Sequence, residues 1–270
     1  VDRYEDHLHI SEYERPHDRD RAQHVDWLEL MKKTAASALD LDVRNVFLKR
    51  REPQRGSLQH QHLSRDQYEL TVQEGGLEFL VNLSDYVDTG LFLDHRITRG
   101  LVRDQADGAS FLNLFGYTGS FSVYAAAGGA EQTTTVDLSG TYLDWARRNM
   151  SLNGFAGKKH SFVKADGREF VKGTPVGPRY DLVMVDPPTF SNSKELDNDW
   201  ILQDHWAGLL NDLVLRMKPK GVIYFSTNYR RFKFDDSCLP GCDVREVSKQ
   251  TVPEDFRNQR IHRCWQIQCP

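Results

Sequence analysis

The sequence predicts an α/β protein, in which a small α+β domain precedes a mostly parallel seven-stranded sheet with helices on both faces. Three observations predict it. From Ser110 onward, short apolar runs alternate with helical stretches. The first of these runs passes through a glycine turn directly into a helix. The last two follow each other without a helical stretch between, which finishes a sheet as a pair of strands rather than as another strand–helix unit.

The composition permits this. The chain has 270 residues, 39% hydrophobic and 27% charged, enough for one large domain or two smaller ones. A net charge of −4 gives no global cationic field, so any nucleic-acid partner has to be met by local patches. No apolar run has signal-peptide or membrane-span length, and the expected compartment is the cytoplasm, with no membrane partner. The chain starts at Val1 and stops soon after CWQIQC, which reads as a piece of a longer protein. Its four cysteines, Cys238, Cys242, Cys264 and Cys269, lack Cys-x-x-Cys knuckles, so reduced structural thiols are predicted and no metal site.

Residues 1–88 form the predicted small domain. Val25, Leu28, Met31, Ala35 and Leu39 recur at helical spacing and predict an amphipathic helix over Asp20 to Leu39. Asn45 to Leu48 reads as a strand running into a basic loop, Lys49 to Gly56. Lys49, Arg50, Arg51 and Arg55 there are candidate phosphate contacts, or else a solvated hairpin. Tyr68 to Val72 and Leu77 to Leu83 alternate around Glu74-Gly75-Gly76, a hairpin signal.

Residues 89–270 form the predicted large domain. Asp88 to Arg96, DTGLFLDHR, leads into a helix ending near Val102, either a cap over a ligand pocket or a connector. The strands are Phe111 to Phe115, Thr133 to Val136, Ser161 to Lys164, Tyr180 to Val185 and Val222 to Ser226, then the pair Val244 to Val247 and His262 to Gln268. In FLNLFGYTGS, glycines let the backbone approach a ligand and the helix N-terminus offers unpaired N–H groups to its anionic portion. Asn113, Phe115, Gly116, Tyr117, Thr118 and Gly119 are therefore candidate cofactor contacts. Gly128-Gly129 ends that helix. Asp137 closes the second strand where a nucleotide-binding sheet places a carboxylate on ribose hydroxyls, with Leu138 and Ser139 beside it. Ser139 also caps the next helix, which Asn153-Gly154 closes. Asp166-Gly167 follows the third strand and suits an adenine amine.

Tyr180 to Phe190, YDLVMVDPPTF, carries the expected chemistry. An apolar strand delivers Asp186, which also faces the cofactor, to the sheet's carboxyl edge, and Pro187 and Pro188 stiffen the backbone there. Phe190 offers a ring on which an extruded base can stack, and Asn228 is a second base contact. Arg230, Arg231 and Lys233 follow the fifth strand as a patch for phosphates, and Arg257, Arg260 and Arg263 add a third cluster.

The seven strands with their closing pair resemble the class I S-adenosylmethionine-dependent methyltransferase fold, a Rossmann-like sheet, rather than a six-stranded dinucleotide-binding one. FLNLFGYTGS, TTTVDLSGTYLDWARRN, DPPTFSNSK and IHRCW are similar to the K module of the large-subunit ribosomal RNA methyltransferases, and the resemblance covers essentially the whole chain. It implies S-adenosylmethionine as cofactor, guanine N7 methylation of 23S rRNA, and fusion to an N-terminal guanine-N2 methyltransferase half. The residue chemistry agrees against close relatives. Pyrimidine C5 methylation needs a cysteine nucleophile, and Phe225-Ser226-Thr227-Asn228 provides none. Guanine N7 attacks directly and needs no general base. The alternatives are N2 methylation of guanosine, an RNA-binding ribosome-assembly factor without catalysis and, more distantly, a nicotinamide dehydrogenase.

Overall fold

The computed structural model describes residues 1–13, 18–51, 68–86, 88–172, 179–191 and 199–270. Two compact units emerge: Val1–Gln73 with Leu80–Thr89, and Glu74–Phe79 with Gly90–Pro270.

In the first unit β1 (Asp2–Tyr4) and β2 (His7–Tyr13) form an antiparallel pair, and β3 (Val46–Arg51) joins β2 in parallel after α1 (Arg21–Ala38) crosses over. Asp20 caps α1 in a capping box with Gln23, which fixes the start of the helix. Its inward face is His24, Leu28 and Ala36; Val25 and Leu39, expected inside, are exposed. The core is small: Leu8, Ala36 and Val46, with Ile10, Ala35 and Leu41 against them. Neither β1 nor β2 was legible in the sequence, because His, Asp and Glu interrupt their apolar positions. β4 (Glu69–Glu74) and β5 (Leu77–Asn82) form the expected hairpin, with Gly75 and Gly76 at positive φ.

The second unit holds the sheet. A 3-10 turn, Leu93–His95, leads into α2 (Arg96–Asp104). Then come β6 (Ser110–Leu114), α3 (Ser120–Ala127), β7 (Gln132–Asp137), α4 (Gly140–Leu152), β8 (His160–Lys164), α5 (Gly167–Val171) and β9 (Tyr180–Val185). A short pair follows, β10 (Phe190–Ser191) and β11 (Trp200–Ile201), then α6 (Leu202–Val214), β12 (Met217–Thr227), β13 (Asp243–Glu246), α7 (Ser248–Thr251) and β14 (Arg263–Gln268). The strand order is β13-β14-β12-β9-β6-β7-β8. β8, β7, β6, β9 and β12 run parallel, while β14 lies antiparallel to both β12 and β13. This is the expected seven-stranded sheet with its closing pair.

Alternation along the central strands feeds two cores. Leu112, Leu114, Val183, Val185, Ile223 and Phe225 point to one face, under Trp206, Leu210 and Leu213 of α6. Phe111, Leu182, Met184 and Tyr224 point to the other, with Val102 of α2 and Phe121 and Ala125 of α3. Both faces of β9 are buried, which is why its sequence is continuously apolar rather than alternating. Adjacent strands β6 and β9 therefore end side by side, and the turns beyond them lie together at the carboxyl edge.

Candidate active site

The turn after β6 is built on left-handed backbone. Phe115 and Tyr117 have φ of 56° and 49°, and Gly119 has 74°. For side chains as large as Phe and Tyr this conformation costs on the order of 1–3 kcal/mol each. The glycines also permit a close approach within the protein. A Cβ on Gly116 would lie 2.5 Å from Thr135 Cγ2, and one on Gly119 would lie 2.7 Å from Ala146 Cβ. Their absent side chains let the turn close on the protein itself. Gly167 likewise faces the Phe115 ring, which a Cβ would meet at 3.1 Å.

Several predicted cofactor residues turn out to hold the turn. Asn113 is buried and donates to Ser122 Oγ at 3.1 Å, and Ser122 bonds Thr135 at 2.7 Å. Thr118 is buried, with its hydroxyl donating to the Gly90 carbonyl at 2.6 Å. Asp137 accepts the Tyr117 N–H at 2.9 Å and the Ser139 N–H at 2.8 Å, which binds the end of β7 to the glycine turn. Leu138 and Ser139 are half-buried, and Ser139 caps α4 as expected. Asp166 caps α5 and receives Arg168 in a charged pair at 2.6 Å. Among these elements the first turn of α3 has no capping side chain.

The stretch after β9, the expected transfer edge, is braced by hydrogen bonds. Trp200 Nε1 donates to the Pro188 carbonyl at 2.6 Å, and Thr189 Oγ1 donates to Asn228 Oδ1 at 2.9 Å. Pro187 is buried, Asn228 is exposed, and the Phe190 ring is 44% exposed, enough surface for a planar group.

Asp186 ends β9, half-buried, and its two oxygens have different partners. Ser226 Oγ, at the end of β12, donates to Oδ1. Oδ2 lies 3.4 Å from His95 Nε2. The same nitrogen is 3.8 Å from Asp94 Oδ2, which accepts the His262 Nδ1–H at 2.9 Å. His262 Nε2 in turn meets Thr251 Oγ1 at 3.0 Å. Burial pushes the Asp94 carboxyl up, but His95, His262 and Arg99 outweigh it and hold it at about 2. Burial also opposes charge on His95, and the two carboxylates overcome this and raise its pKa above the ordinary imidazole value. Asp186 follows the same pattern: burial raises it, while His95 and Ser226 bring it below the usual carboxylate range.

Asp94, His95 and His262 each bring a donor atom within 4.8 Å of the others. Their rings nevertheless stack, with centroids 4.4 Å apart and planes 11° apart. Imidazole lone pairs lie in the ring plane, so an ion well placed for one ring is out of plane for the other. The cluster is a hydrogen-bonded network. In the sequence Asp94-His95 directly follows the apolar run GLFL and His262 lies within IHRCW, with nothing local to connect them.

The basic patches divide. Lys49 to Arg51 are strand, not loop, since they belong to β3. Lys49 is buried with its ammonium on the Tyr86 carbonyl, which removes it from any nucleic acid, and Arg50 pairs with Glu12 at 3.1 Å. Arg55 lies outside the described residues. Arg230, Arg231 and Lys233 are exposed around Phe232, which is buried against Trp206, Phe225 and Trp265. Arg263 of the third cluster is bound to Glu246 at 2.9 Å and to the Phe232 carbonyl at 2.8 Å. All four cysteines are free; Cys264 is fully buried and its thiol is pushed well up by that burial.

A family model described as S-adenosylmethionine-dependent methyltransferase matches residues 6–232. Ribosomal RNA large subunit methyltransferase K of Neisseria meningitidis serogroup B is 43% identical over 268 residues, covering 99% of this chain and 76% of its own length. Ribosomal RNA large subunit methyltransferase K/L of Vibrio cholerae serotype O1 is 45% identical over 270 residues, and the chain spans 38% of that relative. Among solved structures, SMU.776 complexed with SAH aligns with a TM-score of 0.73 at 24% identity, over 89% of this chain and 66% of that one. The SAM-dependent methyltransferase from Agrobacterium tumefaciens aligns with a TM-score of 0.64 at 23% identity, over 77% and 72%. At such identities these two structures bear on the fold alone.

Proposed function

Because the chain belongs to the S-adenosylmethionine-dependent methyltransferases, and among them to the ribosomal RNA large subunit methyltransferase K family, we propose that it methylates nitrogen 7 of a guanosine in 23S rRNA. The observation that carries this reading is the placement of Asp186 at the carboxyl end of β9, held by Ser226 Oγ and 3.4 Å from His95 Nε2.

The site suits the cofactor. In this reading the first turn of α3, which has no side-chain cap, offers N–H groups to a carboxylate, Asp137 is the ribose carboxylate, and Phe115, Gly167 and Asp166 take the adenine side. When bound, S-adenosylmethionine supplies a methyl group on a sulfonium sulfur. The guanine N7 lone pair forms the new N–C bond as the S–C bond breaks, and positive charge passes from sulfur to the purine without loss of a proton. Asp186 is a fixed anion beside that developing charge, and its alignment costs no reorganisation at the moment of transfer. Attack by the exocyclic N2 amine has to shed a proton, a step that attack through N7 does not need. A covalent route through cysteine has no ionised thiol to use at Cys264.

Phe190 provides a stacking surface for the extruded base, while Arg230, Arg231 and Lys233 provide phosphate contacts. A fused guanine-N2 methyltransferase half, as in K/L enzymes, belongs to the same proposal. The test is tritium transfer from labelled S-adenosylmethionine to 23S rRNA lacking the modification, followed by nucleoside analysis. Label in N7-methylguanosine is expected. Label in N2-methylguanosine overturns the assigned atom, and bound cofactor without transfer favours an RNA-binding role.

A further inference from the structure

We propose that His95 is the positioning residue of this site: held between Asp94 and Asp186, it fixes the Asp186 carboxylate for methyl transfer and does so only as an imidazolium. The inference rests on reading Asp186 as the transfer-site carboxylate.

The geometry is that of a clamp. His95 Nε2 is the one ring nitrogen that faces carboxylates, 3.4 Å from Asp186 and 3.8 Å from Asp94. Among the described residues its buried Nδ1 has no hydrogen-bond partner, so the directional bonding of the ring seen there lies on the Nε2 side. Asp94 cannot turn away to satisfy itself elsewhere, because His262 donates to it at 2.9 Å, and His262 is anchored in turn by Thr251. Phe121 packs its ring against the His95 ring at a centroid distance of 5.7 Å, and His262 stacks on it at 4.4 Å. The imidazole is left without rotational freedom. The titratable and charged groups around it are Asp94 from its own turn, Arg99 from α2, Asp186 from β9 and His262 just before β14, with the Cys264 thiol in range of Asp186. The two carboxylates outweigh both burial and Arg99, which favours the protonated ring. Losing that proton would set two half-buried carboxylates against each other across a neutral ring. The neutral ring could still offer an Nε2–H to Asp186, but not the charge that holds both carboxylates.

Two measurements decide the matter. The first is steady-state methyl transfer to rRNA lacking the modification, from pH 6 to 10, for the wild type, His95→Gln and His95→Ala. His95→Ala is expected to lose about tenfold or more in kcat, with KM for S-adenosylmethionine within about threefold, as a small misplacement of an aligned group produces. The wild-type rate should fall on the alkaline side. His95→Gln, which keeps a donor but not the charge, should recover little of the loss and lack that limb. A wild-type kcat in His95→Ala overturns the proposal. So does a loss matched by equal losses in cofactor binding and melting temperature, since that is a structural role.

The second measurement needs no turnover: carbon-edited NMR titration of the His95 ring in the wild type and in Asp186→Asn, with the signal assigned by its absence from His95→Gln. Removing the Asp186 charge should make His95 titrate at clearly lower pH. An unchanged titration overturns the proposal even where His95→Ala does not fold. Because this arm reads the coupling directly, an N2 product or a failure of methyl transfer would overturn the function proposed above while leaving His95 to be judged separately.

Discussion

At the scale of single residues, the most informative contact is the one between an absent atom and a present one. Gly116 is required because Thr135 Cγ2 occupies the space where its Cβ would be, 2.5 Å away. Gly116→Ala should therefore destabilise the protein by about 1–3 kcal/mol, the usual cost of overpacking. Thr135→Ser removes the offending methyl while keeping the hydroxyl that bonds Ser122. Urea unfolding of the two single variants and the double should show Thr135→Ser restoring most of the lost stability. Additive effects would mean that Gly116 serves the ligand rather than the fold. The same logic explains why a glycine turn is ambiguous in sequence. It announces a close approach without naming what approaches.

At the scale of elements, the segment from Arg230 to Phe234 gives the clearest division of labour. Phe232 and Phe234 enter the aromatic cluster of Trp206, Phe225 and Trp265, and the alternation turns Arg231 and Lys233 outward. Charge removal there should spare the fold and weaken RNA binding. Arg230→Gln, Arg231→Gln and Lys233→Gln together are expected to lower affinity and to flatten its salt dependence by about 0.7 per lost contact on single-stranded RNA, with the melting temperature unchanged. A filter-binding salt series checks this; an unaltered slope places the phosphate track elsewhere.

The sequence was legible where a single physical signal dominated an element. The continuous apolar run of β9 and the Ser139 cap of α4 read directly, because burial on both faces and capping leave local marks. Lys49 misled because a basic cluster beside a glycine looks solvated, while its ammonium is in fact buried on a backbone carbonyl. The network of His95 with Asp94, Asp186 and His262 was illegible because its members lie as far apart as positions 94 and 262 and meet only once β9 and β14 are in the sheet.

At the scale of the whole molecule, that network links stability to pH from both sides. The Asp94 carboxyl sits at about 2 in the folded chain against an ordinary 3.8. Its contribution is present above pH 3.8 and disappears as the pH falls toward 2, worth on the order of 2 kcal/mol. His95 has the opposite sign. Its folded value is raised above the ordinary 6.5, so its contribution is complete below that pH and is lost as the pH rises through the folded value. Chemical denaturation across pH 2 to 10 should give declining stability at both ends, with the alkaline decline reduced in His95→Gln. The sheet order also has a consequence for biosynthesis. β14 pairs between β12 and β13 yet follows both in the chain. A nascent polypeptide emerging from the ribosome therefore carries β12 with an open, apolar edge until β14 threads into the gap, and the same insertion delivers His262 to the site. Burial of that edge and the arrival of His262 beside Asp94 are thus a single event in folding.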